Sequence, residues 1–288
     1  AEQLAEVIIG DYVPFIVLLM GLYVVAGGIH IGGTIAGTTR NNVIILLIGS
    51  FLASWVGTTG AAMLLIRPLL RANLWRRHRA HVVIFFIFLV ANAGGCLTPL
   101  GDPPLFLGYL RGVPFFWTLE HIWPVLLVNV VLLIGLFVAV DRHFMRKEGR
   151  ENYRQLELLT RADDRVPIHL QGWHNLFFLL IIIVGVILNG LIPQIGAFVD
   201  AETGRTFGVS VFGVHVGVEY VAQISLICLA MILSWLTTST DDRSRNNFEW
   251  APIAEVAKLF IGIFVTMIPA LAILRAYGGS LGLDSPLG

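Results

Sequence analysis

The stretch that decides the fold is NAGGCLTPLGDPP, residues 92–104. It interrupts an apolar segment that otherwise runs from His81 to Leu110. Its glycines let backbone carbonyls turn inward without side-chain clashes, and its prolines remove amide donors and end a helix. The sequence therefore predicts a discontinuous helix over 81–110. Such a break leaves free carbonyls that can bind a cation and, at the start of the second half-helix, amides that can bind an anion.

The composition around this stretch is that of a membrane protein. Of the 288 residues, 56% are hydrophobic and 13% are charged, whereas a soluble domain carries about 25% charged residues. The formal net charge is zero, so nothing indicates a nucleic-acid partner. The runs Asn175–Ile192 and Ile122–Val140 contain no ionisable residue and no polar face, which is typical of membrane spans.

Five apolar runs are long enough for complete spans, each of which needs about 20 mainly apolar residues. These runs lie at 12–31, 122–140, 174–192, 219–237 and 252–274. The segment 43–70 differs, because two short arms flank the Gly-Thr-Thr-Gly sequence at 57–60. At about 1.5 Å per residue, neither arm is long enough to cross the bilayer. We therefore predict a re-entrant hairpin over 43–70.

Basic residues are unevenly distributed among the loops. Arginine and lysine concentrate just after the hairpin and in 141–173, whereas 193–218 contains only Arg205. Since cytoplasmic loops carry an excess of these residues, 141–173 is predicted to be a cytoplasmic loop. It mixes both charge signs, and we expect an interfacial helix within it.

The predicted organisation has four parts. Residues 1–140 form a first transport repeat, 141–173 the cytoplasmic loop, 174–237 the connecting transmembrane spans and 238–288 the start of a second repeat. The first and last spans run in opposite directions, as in inverted repeats. No second hairpin or broken helix follows, so we expect residues 1–288 to be a fragment that does not transport alone. We expect transport from a chain extended by roughly 130–150 residues, a length scaled from the first repeat.

Candidate binding residues lie at the hairpin tip and at the helix break. An ionised carboxylate at mid-bilayer costs about 2.5–3.5 kcal/mol, which makes Asp102 a candidate cation ligand or proton carrier. Its place before Pro103 also fits a helix N-cap, and the two roles are compatible. Thr58 and Thr59 offer hydroxyl oxygens to a cation or, alternatively, bond their own backbone in a tight turn. The complete set is Gly57, Thr58, Thr59, Asn92, Gly94, Gly95, Thr98, Gly101 and Asp102, with Na⁺ assigned to Asn92, Thr98 and Asp102.

Residues 92–104 resemble the NxGGxxTPxGDPP signature of the ion-transporter superfamily. That superfamily includes arsenite permeases, D-type sodium/proton antiporters, and citrate and dicarboxylate transporters. Residues 105–112 and 247–274 look most like its citrate-transport branch, whose members are commonly labelled sodium:proton antiporters. The resemblance implies an all-α polytopic membrane protein with two inverted repeats, each containing a re-entrant hairpin and a discontinuous helix, assembled as a homodimer. By this likeness the first hairpin tip is 57–60 and the first broken helix 92–102.

The resemblance implies an ion-coupled secondary transporter that works by alternating access, and we expect sodium/proton antiport. Transport of citrate, another carboxylate or arsenite is the alternative. The tip lacks the Ser-Asn-Thr of dicarboxylate carriers, and Leu105 stands where many relatives have Asn. A passive channel and a membrane-embedded enzyme are more distant alternatives. A shared-proton enzyme needs a second carboxylate, and the other aspartates, Asp141 among them, lie at span ends or in loops.

No enzymatic activity is therefore expected, and no cofactor beyond the transported Na⁺ and H⁺. The expected partners are the lipid bilayer and a small ion or carboxylate substrate, without nucleic acid. We expect an integral, multi-pass protein of a prokaryotic inner (cell) membrane.

Overall fold

The computed structural model describes residues 2–160, 166–200, 203 and 205–277. Residues 161–165 of the predicted cytoplasmic loop and 278–288 of the predicted second repeat lie outside the described residues. A π-helical turn, Val7–Tyr12, joins the first two helices. The α-helices are α1 (Glu2–Glu6), α2 (Val13–Ala26), α3 (Thr39–Val56), α4 (Thr58–Ala72), α5 (Ala80–Leu89), α6 (Pro103–Leu110), α7 (Trp117–Met145), α8 (Arg150–Thr160), α9 (Asn175–Leu191), α10 (Val218–Thr237), α11 (Thr240–Arg245) and α12 (Ala251–Tyr277).

Two short antiparallel ladders lie in loop segments of the described residues. Strand β1 (His30–Gly32) pairs with β2 (His169–Gln171), and β3 (Gly208–Val211) forms a hairpin with β4 (Val214–Gly217). The first ladder joins the end of the first span to the loop before α9, a pairing that no sequence pattern indicated. Short 3₁₀ turns occur at Ala93–Leu97, Ile192–Gln194 and Gly196–Phe198.

Among the described residues, seven helical segments are long and apolar enough to cross a membrane. Each of the five predicted complete spans has a counterpart among them, and so does the predicted broken span. This confirms a mostly helical, multi-pass membrane protein. The seven segments are Leu4–Ala26, Thr39–Val56, Ala80–Leu97, Trp117–Met145, Asn175–Gln194, Val218–Thr237 and Ala251–Ala270.

The first arm of the predicted hairpin is longer than expected. Helix α3 begins at Thr39 because the side chain of Thr38 accepts a hydrogen bond from the Asn41 N–H at 3.3 Å and caps the helix. Its polar first turn does not belong to the apolar run that starts at residue 43. The resulting helix has 18 residues and is long enough to span by length alone.

Helices α3 and α4 run antiparallel and meet again at their far ends. The Gly37 N–H donates to the Ala72 carbonyl at 2.9 Å. The side-chain amides of Asn42 and Asn73 exchange hydrogen bonds of 2.9 and 2.8 Å. The start of α3 and the end of α4 therefore lie side by side, and the turn between them projects away from this end.

Helices α2, α9 and α10 pack at the centre of the bundle. Gly21 of α2 permits close approach, because a Cβ there would collide with Ile227 of α10 and lie 3.4 Å from Ile182 of α9. At one end of the α9–α10 pair, the Ser234 hydroxyl donates to the Asn175 side chain at 2.5 Å. Buried side chains from these three helices form part of the main hydrophobic core.

Helix α7 is attached near both ends and is otherwise little buried. Near its start, the Thr118 hydroxyl donates to the Leu97 carbonyl at 2.8 Å. Near its end lies the fully buried Asp141. In an apolar 18-residue stretch of this helix only 6% of the residues are buried, and the share in α12 is the same. Both helices therefore present apolar surfaces outside the core, as helices in contact with lipid do.

A buried ionic cluster surrounds Asp141. Its carboxylate forms an ion pair with Arg76 and accepts a hydrogen bond from the Thr39 hydroxyl. The Nε2 atom of His81 lies 2.8 Å from Oδ1 of Asp141. The Nε atom of Arg76 also donates to the Gly37 carbonyl at 2.9 Å. Asp141 lies near a span end as predicted, but its complete burial was not indicated by the sequence.

Glu148 fixes the segment between α4 and α5. Its carboxylate accepts hydrogen bonds from the backbone N–H groups of His78 at 2.9 Å and Arg77 at 3.2 Å, and from the Asn152 side chain at 2.5 Å. Burial raises the pKa of Glu148, but these hydrogen bonds outweigh burial and hold the pKa below its ordinary value. The carboxylate is therefore ionised at neutral pH and ties the segment after α7 to this turn.

Candidate functional site

The helical structure is interrupted within 81–110, where the sequence predicts a break. Helix α5 ends at Leu89 and α6 begins at Pro103, and the only regular element between them is the 3₁₀ turn Ala93–Leu97. Pro103 and Pro104 occupy the first positions of α6. Proline is favoured there because its φ is already helical and its missing N–H would have no helical partner.

The tip between α3 and α4 contacts this break. Gly57 at the tip has a φ of +81°, which L side chains rarely adopt. A Cβ at Gly57 would also lie only 3.2 Å from the Leu100 carbonyl oxygen. The next N–H, that of Thr58, donates to the Gly101 carbonyl at 3.1 Å. Backbone conformation and close approach both require glycine at this position.

Asp102 lies where the tip and the break meet. It occupies the N-cap position of α6, but its side chain makes no capping hydrogen bond. Its Oδ1 accepts from the Thr58 hydroxyl at 3.3 Å, and that hydroxyl lies equally close to the Gly101 carbonyl. A Cβ at Gly95 would lie 3.0 Å from Asp102 Cγ. In the part of the chain that the structure describes, the carboxylate makes no other hydrogen bond, so it retains oxygen lone pairs for a ligand.

The first turn of α6 does not provide the amide donors that the sequence led us to expect. Pro103 and Pro104 have no N–H. The N–H groups of Leu105 and Phe106 donate to the Asp102 carbonyl at 3.1 and 3.3 Å. Oxygen atoms therefore dominate this part of the site, which favours a cation over an anion.

Ser54, which was not among the predicted site residues, holds α3 against the break. Its hydroxyl donates to the Gly94 carbonyl and accepts from the Leu97 N–H at 3.3 Å. Its carbonyl accepts from the hydroxyl of Thr98, which in turn accepts from the Leu100 N–H at 3.2 Å. These bonds fix the path of the backbone through the break.

A sequence pattern could have identified Ser54. Ser50 and Ser54 lie four residues apart in an otherwise apolar segment, which places them on one face of α3. The Ser50 hydroxyl donates to the Leu89 carbonyl at 3.0 Å, at the end of α5. Ser50 and Ser54 thus follow the break from the end of α5 to the 3₁₀ turn, and Thr58 contacts the start of α6 from the other side of the tip.

The predicted sodium ligands are only partly brought together. Thr98 is fully buried with its hydroxyl bonded to the backbone, and the side chain of Asn92 is exposed, as is that of Thr59. Thr58 is the hydroxyl that contacts Asp102. The assignment of Na⁺ to Asn92, Thr98 and Asp102 stays a prediction. We define the tip–break junction as Gly57, Thr58, Gly94, Gly95, Thr98, Gly101 and Asp102.

The donor set of this junction suits a monovalent cation. Within the described ranges, no group of three or more His, Cys, Asp or Glu side chains is placed to hold a metal ion. A cation at the junction would have one carboxylate, a hydroxyl and backbone carbonyls as ligands. Oxygen ligands of this kind bind hard cations, and a single carboxylate balances a single positive charge.

Replacing Gly101 with alanine is expected to separate the tip from the break. A Cβ there would collide with the backbone of Gly95, which cannot yield as a flexible side chain would. Overpacking costs about 1–3 kcal/mol, and we expect a loss of stability of this size together with loss of transport. The unfolding midpoint in detergent and the transport rate measure the two effects.

Gly135→Ala in α7 is the matched control, because nothing lies within 4 Å of a Cβ at that position. It should leave transport unchanged and slightly favour the helix. Equal losses in both variants would contradict the close contact between Gly101 and Gly95.

The fold and the junction together define a polytopic α-helical membrane protein with a polar site where a helix-hairpin tip meets a broken helix. The sequence profile of the family described as "Putative citrate transport" matches residues 1–283. The chain belongs to this family, which lies within the ion-transporter superfamily. It is a transporter family and not an enzyme family, so the prediction of a non-enzymatic transporter is confirmed. No curated protein and no solved structure matches the chain.

Proposed function

We propose that the protein is a cation-coupled secondary transporter of a small carboxylate of the citrate class, and that the tip–break junction binds the coupling cation. The observation that carries this proposal is the Asp102 carboxylate, which contacts Thr58 at 3.3 Å and makes no capping bond. Family membership supports a carboxylate as the substrate. This reverses the order of preference reached from the sequence, where antiport came first.

Transport of a carboxylate requires a bound cation because the tip–break junction carries a negative charge. Asp102 is its only acidic or basic side chain, and the first turn of α6 has no free N–H. Two like unit charges 4 Å apart repel by about 4 kcal/mol at an effective dielectric constant of 20. A carboxylate substrate beside an ionised Asp102 would meet this repulsion, whereas a bound Na⁺ or a proton removes it. Carboxylate transport should therefore depend on one of these cations.

Sodium/proton antiport is the second candidate function. The observation in its favour is that, among the described residues, only the Thr58 hydroxyl donates to the Asp102 carboxylate, and no basic side chain does. A single carboxylate that binds either Na⁺ or H⁺ is sufficient for exchange, because the two cations compete for the same oxygens. No anionic substrate is then needed.

We further propose that α3 and α4 form a re-entrant hairpin within the first of two inverted repeats. In support, Gly37 and Ala72 at their far ends are joined by a 2.9 Å hydrogen bond, while Gly57 lies at the break. Irregular backbone at membrane depth is tolerated where protein or a wet cavity satisfies it. A homodimer is part of the same proposal, and the little-buried surfaces of α7 and α12 are available to lipid or to a second copy.

We propose that the loop 141–173 faces the cytoplasm of a prokaryotic cell, as its basic residues predict. Contacts among the basic segments support a common side. Strand β2 in this loop pairs with β1, and Arg71 donates to the carbonyl of Ile31 in β1 at 2.8 Å. The loop and the segment after the hairpin are thus connected through the same strand.

Reconstitution of the full-length protein in proteoliposomes tests the function. Uptake of radiolabelled citrate should rise with an inward Na⁺ gradient or an inward proton gradient and should cease when both are removed. Proton efflux driven by Na⁺ in the absence of citrate would instead favour antiport. Citrate uptake that is insensitive to both gradients would contradict cation coupling.

A further inference from the structure

A second group of polar side chains lies inside the bundle, away from the tip–break junction. Asn189 of α9 and Glu219 and Gln223 of α10 have exposed fractions of 7%, 8% and 0%. We call these three residues the α9–α10 polar layer. Neither helix was assigned a functional residue from the sequence.

The packing register places the members of this layer at one level of the bundle. The two helices are antiparallel, with Ser234 bonded to Asn175 at one end. Further along, a Cβ at Gly185 would lie 3.3 Å from Leu226 Cβ. Asn189 lies one turn beyond Gly185 and on the same face, because residues four apart align along a helix. It therefore faces the first turns of α10, where the other two members lie.

Four buried polar atoms of these side chains have no hydrogen-bond partner within the described part of the chain. The unbonded buried atoms are Nδ2 of Asn189, both polar side-chain atoms of Gln223, and Oε2 of Glu219. The opposite end of the same helix pair behaves differently, because the Asn175 amide bonds both Ser234 and the Gly28 carbonyl. Buried polar groups in native proteins are normally hydrogen-bonded, so a group of unsatisfied ones needs an ion, a water molecule or another ligand as a partner.

A cavity lies beside the first turn of α10, next to this layer, although none of the three layer residues is among its lining residues. Its volume is about 860 Å³, and Val216 and Tyr220, on either side of Glu219 in the chain, are among its lining residues. A Cβ at Gly217 would collide with the Glu219 carboxylate, so this carboxylate lies against the backbone at the start of α10. Glu219 thus lies beside the cavity, and Gln223 lies one turn deeper.

We propose that the α9–α10 polar layer is a binding site for a monovalent cation that enters through this cavity. Glu219 supplies one negative charge, and Gln223 supplies an amide oxygen. The amide of Asn189 can present oxygen as well as nitrogen, since the two atoms are assigned from the hydrogen-bond pattern. Hard cations prefer such oxygen ligands, and a single carboxylate matches a single positive charge. The three polar side chains would then all be satisfied.

Helix α6 connects this layer to the tip–break junction. It begins after Asp102, and near its other end the Tyr109 hydroxyl donates to the Val186 carbonyl at 2.5 Å. A Cβ at Gly190 would lie 2.7 Å from the same hydroxyl. Tyr109 therefore packs on α9 immediately beside Asn189. The proposed cation site does not depend on the proposed function, but α6 provides a direct path by which the two sites can influence each other.

The test measures the thermal unfolding midpoint of the full-length protein in detergent, with NaCl titrated against choline chloride. A bound cation stabilises the folded state in a concentration-dependent way. Gln223→Leu and Glu219→Gln should each raise the Na⁺ concentration at half-effect by about 10-fold or more, the effect of losing one ligand to a charged group. Asp102→Asn should retain the stabilisation that Na⁺ bound at the α9–α10 polar layer provides, because the Asp102 carboxylate belongs to the tip–break junction.

Gln194→Leu is the matched control, because Gln194 is exposed at the same end of α9. It should leave the Na⁺ titration unchanged. If Gln223→Leu does not fold, the isosteric Glu219→Gln provides the same test. A titration unaffected by both layer variants would overturn the proposal. A titration abolished by Asp102→Asn alone would also overturn it, while supporting the cation site at the junction.

Discussion

Asp102→Asn is expected to reduce cation-coupled transport by about 10- to 100-fold. Hydrogen bonds and ligand contacts to a charged group contribute about 1.5–3 kcal/mol, and each 1.4 kcal/mol corresponds to a factor of ten. The substitution preserves the shape of the side chain and removes no capping bond, because Asp102 makes none. We therefore expect the unfolding midpoint in detergent to change little while transport in proteoliposomes collapses. Transport at the wild-type rate in this variant would show that Asp102 is not part of the binding site.

Two neighbouring threonines provide a matched pair for the same site. Thr58 donates to the Asp102 carboxylate, whereas the side chain of Thr59 is exposed. Thr58→Val should weaken the apparent cation affinity severalfold, and Thr59→Val should leave it unchanged. Equal effects would show that the contact between Thr58 and Asp102 is not what binds the cation.

Asp141→Asn is expected to destabilise the folded protein by about 3–5 kcal/mol, the cost of removing one partner of a buried ion pair. Arg76, 3% exposed, would keep its charge without a counter-ion. His81 and Thr39 would also lose an anionic acceptor. Unfolding by denaturant in mixed micelles measures this loss.

Asp241→Asn is the matched control, because Asp241 pairs with Arg245 at 2.7 Å on the surface. Exposed ion pairs contribute at most about 1 kcal/mol. The double variant Arg76→Met with Asp141→Leu should recover part of the stability, since it removes both buried charges. A loss in Asp141→Asn no larger than that in Asp241→Asn would mean that the buried pair does not stabilise the fold.

The spans and the helix break could be predicted because their causes are local. A run of about 20 apolar residues and a cluster of glycine and proline are visible without knowledge of the rest of the chain. The blocked first turn of α6 is also local in origin, because Pro103 and Pro104 lack the N–H groups that an anion site needs. The start of α3 was misjudged because Thr38 caps a polar first turn that hydropathy does not detect.

The remaining features depend on tertiary contacts and could not be predicted in the same way. Nothing near Thr58 indicates that it, and not Thr59, faces Asp102. The burial of Asp141 requires that Arg76, 65 positions earlier, returns to the end of α7. The unsatisfied amide of Gln223 is recognisable only when the packing of α9 against α10 is known. In the sequence it is one polar residue in an apolar run.

The length of α7 gives the surrounding lipid a mechanical role. Its apolar run, 122–140, measures roughly 28 Å at 1.5 Å per residue and so matches a hydrocarbon core about 30 Å thick. In a thinner bilayer the run becomes longer than the core, and such a helix adapts by tilting. Since Thr118 holds one end of α7 at the break and Asp141 holds the other in the ionic cluster, α7 cannot slide freely. A thinner or thicker bilayer would change its tilt and strain both attachments, so the acyl-chain length of the host membrane would act directly on the geometry of the break.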